Sequence, residues 1–103
     1  MVDLNKENSE VIQIWKIKKD SFGSVWVCTS GNGLYRIKKG DQPYKYLYKQ
    51  NDDNSISSNY IYDVHQSRIN ENIFWIGTRN GLNRYDQKLD RFSRMYADNS
   101  SEN

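Results

Sequence analysis

The stretch WVCTSGNGLYRI at residues 26–37 returns, little changed, as WIGTRNGLNRY at residues 75–85. Self-similarity at a fixed period constrains a fold more tightly than composition does, because each copy must be one structural unit. Trp26 and Trp75 stand 49 residues apart; Leu34 and Leu82 stand 48 apart, because Gly31 is an extra residue in the first copy. Upstream, Ile14 and Ile17 match Ile61 and Val64 at a spacing of 47, and the second copy gains two residues in RINEN before its Trp. Downstream, Tyr44, Leu47 and Tyr48 match Phe92, Met95 and Tyr96 at 48. The repeat thus covers nearly the whole chain, and its insertions fall where loops tolerate them.

Each copy reads as four short strands. In the first they cover residues 12–18, 24–29, 33–38 and 44–49; in the second, 60–66, 73–78, 81–86 and 91–96. The warrants are β-branched and aromatic enrichment, alternation with period two, and turn residues between the runs. The Asn-Gly pairs 32–33 and 80–81 are strong hairpin signals, because both residues accept positive φ. Pro43 sits at a strand start, where its missing N–H costs little. Four antiparallel strands recurring every 47 to 49 residues are the pattern of a β-propeller blade. The expected fold is all-β: two four-stranded antiparallel β-propeller blades, at 1–50 and 60–103, joined by an inter-blade bridge at 51–59. A blade cannot bury its own two faces, and repeat arrays usually need about three or more units. The pair is therefore expected to complete a ring with other copies or with the rest of a longer chain. The polar NKENSE and DNSSEN stretches read as cuts at inter-blade bridges, so three copies would form six blades and four would form eight, inside the usual range of roughly 4–8.

Composition narrows the function. The net charge is only +2 and the basic residues are scattered, which argues against nucleic acid as a partner. No run approaches the roughly 18 apolar residues of a membrane span, and the polar MVDLNKENSE does not read as a signal peptide. One cysteine, Cys28, excludes an internal disulfide and a cysteine-built metal site. His65 is the only histidine and has no partner at a catalytic or metal-binding spacing. The acidic NDDN at 51–54 lacks the Gly and closing Glu of a calcium loop, so it reads as an Asx-rich turn. Tyr44, Tyr46 and Tyr48 alternate along the fourth strand and read as a stripe packed against a neighbouring sheet. No cofactor, metal or catalytic residue is expected, which places the chain among non-enzymatic modules; a lyase or hydrolase fragment is disfavoured by the want of a carboxylate pair.

The wording of the repeat carries a resemblance. DSFGSVWVCTSGNGLYRI, and still more NIFWIGTRNGLNRYD with Gly77, Thr78, Gly81, Leu82, Arg84, Tyr85 and Asp86, resembles the two-component regulator propeller repeat. The linker NDDNSISSNYIYDV is similar to that family's bridge between blades. Cys28, in place of the family's Gly, and Ser67 with Asn72, in place of an Asp and a Gly, depart from the pattern. The resemblance implies the extracytoplasmic, periplasmic sensor of hybrid two-component histidine kinases of Bacteroidetes type, many of which detect oligosaccharides. The kinase itself is absent from this sequence.

Residues that recur in both copies are expected to serve the framework: Trp26, Thr29, Gly33, Leu34 and Arg36, with Trp75, Gly77, Thr78, Gly81, Leu82 and Arg84. Asp20 and Asp86 are the candidate ion-pair partners of the two arginines. Loops that converge on one end of a propeller are where ligands bind. There the candidate residues are Arg79, which the first copy replaces by Ser30, with Asn80, Asn32, Asn59 and Tyr60. Their amides and guanidinium suit sugar hydroxyls, and Tyr60 suits stacking on a sugar face. Two functions follow as expectations: an oligosaccharide-sensing module, or a structural and protein-interaction scaffold without a small ligand.

Overall fold

The computed structural model describes residues 11–95, which form eight strands and, within that range, no helix. These are β1 (Ile14–Lys19), β2 (Val25–Thr29), β3 (Leu34–Ile37), β4 (Tyr44–Tyr46), β5 (Ile61–Gln66), β6 (Ile73–Thr78), β7 (Gly81–Asp86) and β8 (Arg91–Met95). They build two separate antiparallel sheets, each a meander in chain order: β1-β2-β3-β4 and β5-β6-β7-β8.

The two sheets repeat each other down to an irregularity. β1 shifts register against β2 between Ile14 and Lys16, and β5 does so against β6 between Ile61 and Asp63. The displaced residues are Trp15 and Tyr62, at matched positions, so the bulge is part of the repeated design. Two sequence expectations are corrected. The fourth strand ends at Tyr46, not 49, because the Tyr48 N–H turns to Asn59 Oδ1 at 2.7 Å and the Lys49 N–H to Ser55 Oγ at 3.0 Å. Tyr44 lies opposite Arg36 and Ser93 opposite Arg84, so the fourth strands match at a spacing of 49 rather than 48. The β7–β8 turn holds the extra residue and closes through Asp90 at φ 52°.

Strand alternation sorts the side chains. Trp26, Cys28, Leu34, Arg36 and Tyr46 share one face of the first sheet. That face packs on Ile61, Val64, Phe74, Ile76, Tyr85 and Phe92 of the second sheet, with Ile56 of the connecting segment in the same core. The seam is aromatic: ring centroids are 4.8 Å apart for Trp26 and Phe74, 5.3 Å for Tyr46 and Tyr85, and 4.6 Å for Tyr85 and Phe92. Such pairs contribute about 0.5–1.5 kcal/mol each beyond the area they bury. Trp75, the counterpart of Trp26, lies one residue from Phe74 along β6 and so points to the sheet's other face. The sheets therefore stack head on tail. The Trp26 face of the first sheet meets the counter-face of the second, and the Trp75 face is turned away from the seam.

Candidate functional site

Both β2–β3 and β6–β7 turns, and the segment joining the sheets, lie at one end of the seam. Each turn is locked by a threonine. Thr29 Oγ1 donates to the Gly33 carbonyl at 2.6 Å and accepts from the Asn32 N–H at 3.0 Å. Thr78 Oγ1 donates to the Gly81 carbonyl at 2.8 Å and accepts from the Asn80 N–H at 3.0 Å. Gly33 and Gly81 carry φ of 93° and 101°, conformations glycine adopts without penalty.

The connecting segment is stitched onto these turns. The Asn59 carbonyl accepts from the N–H groups of Gly31 and Gly33 at 3.1 and 3.0 Å, and its Oδ1 accepts from Tyr48. Tyr60 pairs with Ser30 in an isolated bridge, and its carbonyl accepts the Arg79 N–H at 3.0 Å. The Arg79 guanidinium stands 4.7 Å over the Tyr60 ring, a cation–π geometry. A side chain at Gly31 would meet the same ring at 3.1 Å. The Tyr60 ring is thus held between the Gly31 backbone and Arg79, and 39% of Tyr60 stays exposed. Asn80 Nδ2 donates to the Ser57 carbonyl at 3.4 Å, linking the second turn to the same segment.

The five candidate residues divide by what they have free. Arg79 and Tyr60 form one exposed surface, and Arg79 makes no ion pair among the described residues. Asn59 spends its carbonyl and its Oδ1 on the framework, and Asn80 leans on Ser57. Asn32 commits its N–H to Thr29.

Toward the other end of the seam, where the β1–β2 and β3–β4 turns lie, is a buried charge network that exists in one sheet only. Asp20 Oδ1 accepts from the N–H groups of Phe22 and Ser24, each at 2.9 Å. Its Oδ2 accepts from Trp26 Nε1 and from the Arg36 guanidinium, again at 2.9 Å each. Arg36 stacks 4.6 Å over Trp26 and 5.2 Å over Phe74, and its Nε has no hydrogen-bond partner. In the second sheet Ser67 takes the place of Asp20. Its Oγ accepts the N–H groups of Ile69 and Asn70, so it closes the turn, but a hydroxyl is too short to reach Trp75 or Arg84. Asp86 does not substitute: its Oδ1 accepts the turn N–H groups of Lys88 and Leu89, and Arg84 forms no ion pair among the described residues.

The same end of the seam holds a feature that sequence reasoning missed, a groove of about 620 Å³ bordered by Phe22, Lys38, Lys39, Tyr44, Tyr85 and Lys88. Its lysines come from two turns remote in sequence, so no local pattern announced it. At its floor Tyr46 and Tyr85 hydroxyls lie 3.3 Å apart, and Tyr85 donates to Asp90 at 2.7 Å. Burial pushes both phenols above their ordinary range. Of the three tyrosines expected to form a stripe, Tyr46 packs in the aromatic seam, while Tyr44 and Tyr48 are exposed.

The remaining reactive groups are held quiet or exposed to water. Cys28 is fully buried, and burial, with Asp63 nearby, pushes its thiol up to about 12. For Asp63, burial works upward but is outweighed by the Val64 N–H and by Lys18 and Lys16, leaving the carboxyl below its ordinary value. NDDN forms an Asx turn, with Asp52 Oδ1 accepting the Asn54 N–H at 3.0 Å. Among the described residues no group of three His, Cys, Asp or Glu side chains is placed to hold a metal ion, and no helix is long and apolar enough to cross a membrane.

Fold and site together define an all-β tandem repeat of two stacked four-stranded meanders. No protein-family model and no curated protein matches the sequence.

Proposed function

We propose that the chain is a non-enzymatic pair of β-propeller blades whose loop end recognises an oligosaccharide, as part of a sensor working outside the cytoplasm. The observation that carries this reading is the Arg79–Tyr60 surface. The exposed part of the Tyr60 ring, braced by the Gly31 backbone and by the guanidinium over it, suits apolar contact with a sugar ring, while the guanidinium donates to its hydroxyls. Arg79 also breaks the echo between the repeats, with uncharged Ser30 as its counterpart. A calorimetric titration against a panel of neutral and acidic oligosaccharides tests it. Binding that falls at least tenfold in both Arg79→Ala and Tyr60→Ala supports the reading; no binding to any member refutes it. A structural or interaction scaffold is the second reading, favoured by the outward-facing Leu82 and Met95, which are 43% and 40% exposed.

A further inference from the structure

The seam inside the chain has two halves; the counterpart of the first half is exposed at Leu82, and the counterpart of the second is exposed along β1. Leu34 is fully buried in the seam, whereas its counterpart Leu82 is 43% exposed. On the other half, Val64 is 2% exposed and its counterpart Ile17 is 60% exposed. The centre of the outer face of the first sheet is already covered, since Val27 and Tyr35 are buried. What remains open there is the β1 side, with Trp15 and Ile17.

We infer that a second copy of this chain docks head to tail, its β1 against β5 and the adjoining edge of the outward Trp75 face, repeating the β1–β5 side of the contact that the two sheets make within one chain. Three contacts of the internal seam specify it. Inside the chain, Trp15 meets Tyr62 edge to face at 6.4 Å. Tyr62 is itself the counterpart of Trp15, so the same displacement sets Tyr62 against Trp15 of the second copy. Both are exposed apolar rings, 49% and 57% respectively. Next, Lys16 and Lys18 reach Asp63 at 3.7 and 3.3 Å. Asp63 is the counterpart of Lys16, so the displaced contact sets Asp63 against Lys16 of the second copy. The charges are again opposite, with the signs exchanged. Finally, Lys18 Nζ donates to the Val64 carbonyl at 3.0 Å. Its counterpart His65 is exposed and would face the Ile17 carbonyl of the second copy.

A head-to-head arrangement would instead bring Asp63 near its own copy, like charge on like. The head-to-tail contact is heterologous, so it uses a different surface on each partner and closes only as a ring. Exposed ion pairs add little affinity, so the Lys16–Asp63 contact sets orientation while the apolar rings and Leu82 supply attraction.

Light scattering on chains broken at one half only tests the inference. Leu82→Asp destroys the head and Ile17→Asp destroys the tail; both sites are exposed, and each variant must keep the native circular dichroism. If either fails to fold, Leu82→Ser and Ile17→Ser replace them. The unmodified chain is expected at three or four times its 12.2 kDa mass, and each variant alone at one chain. Mixed, the two variants are expected to pair into a dimer, because one still has a head and the other a tail. An unmodified chain that stays single, a variant that still assembles alone, or a mixture that stays single would overturn it.

Discussion

Asp20→Ala is the most severe single test of how this fold is held. The Asp20 side chain is 1% exposed and that of Arg36 is 2% exposed, so neither charge has water to fall back on. The carboxylate satisfies two turn N–H groups, the Trp26 indole and the Arg36 guanidinium. Removing one partner of a buried pair leaves the other uncompensated and costs about 3–5 kcal/mol. A domain of this size is stable by only about 5–15 kcal/mol. With a urea slope of roughly 1.5 kcal/mol per molar, the midpoint falls by about 2–3 M. Urea titration read by tryptophan fluorescence measures it. The double variant Asp20→Leu with Arg36→Met removes both charges and keeps apolar volume. Replacing both partners is often neutral, so it should recover more than half of the loss. If Asp20→Ala costs under about 1 kcal/mol, or the double variant is worse than the single one, the buried pair does not have the role assigned to it.

Three further outcomes are expected. Cys28 should resist thiol reagents in the folded chain and react at a rate set by unfolding, because the thiolate is the reactive form and burial suppresses it. Its thiol is raised from 9.0 to about 12, so the stability that keeping it protonated contributes is intact below pH 9 and is lost as pH rises from 9 toward 12; a urea series at alkaline pH should lose that slope in Cys28→Ala. Gly33→Ala should cost clearly more than Gly40→Ala in thermal melts. Both have positive φ, near 93° and 82°, but only at Gly33 would the added carbon lie 2.7 Å from the Tyr46 carbonyl oxygen.

Much of this architecture was legible because the repeat encodes it locally. The threonine-locked glycine turns, the strand alternation and the pairing of Asp20 with Arg36 all lie within one copy, where spacing translates directly into geometry. The end of the fourth strand was not legible. It depends on Asn59 capturing the Tyr48 N–H from eleven residues away, a competition between side chain and ladder that no alternation pattern records. Nor was the broken symmetry of the charge network. Ser67 preserves the turn that Asp20 makes, so the substitution reads as conservative until the missing reach to Trp75 and Arg84 is seen. At the loop end, Arg79 stood out because it is unrepeated; that Asn59 belongs to the framework emerged only from its carbonyl bonds to Gly31 and Gly33.

The central claim is that two matched sheets stack by one displacement, leaving the β1 side of one outer face and the Leu82 side of the other exposed as copies of their own seam. Sedimentation equilibrium of the unmodified chain over a wide concentration range tests it most directly. The account predicts one discrete species at three or four times 12.2 kDa, dissociating on dilution, whereas a stable single chain at every concentration would contradict it.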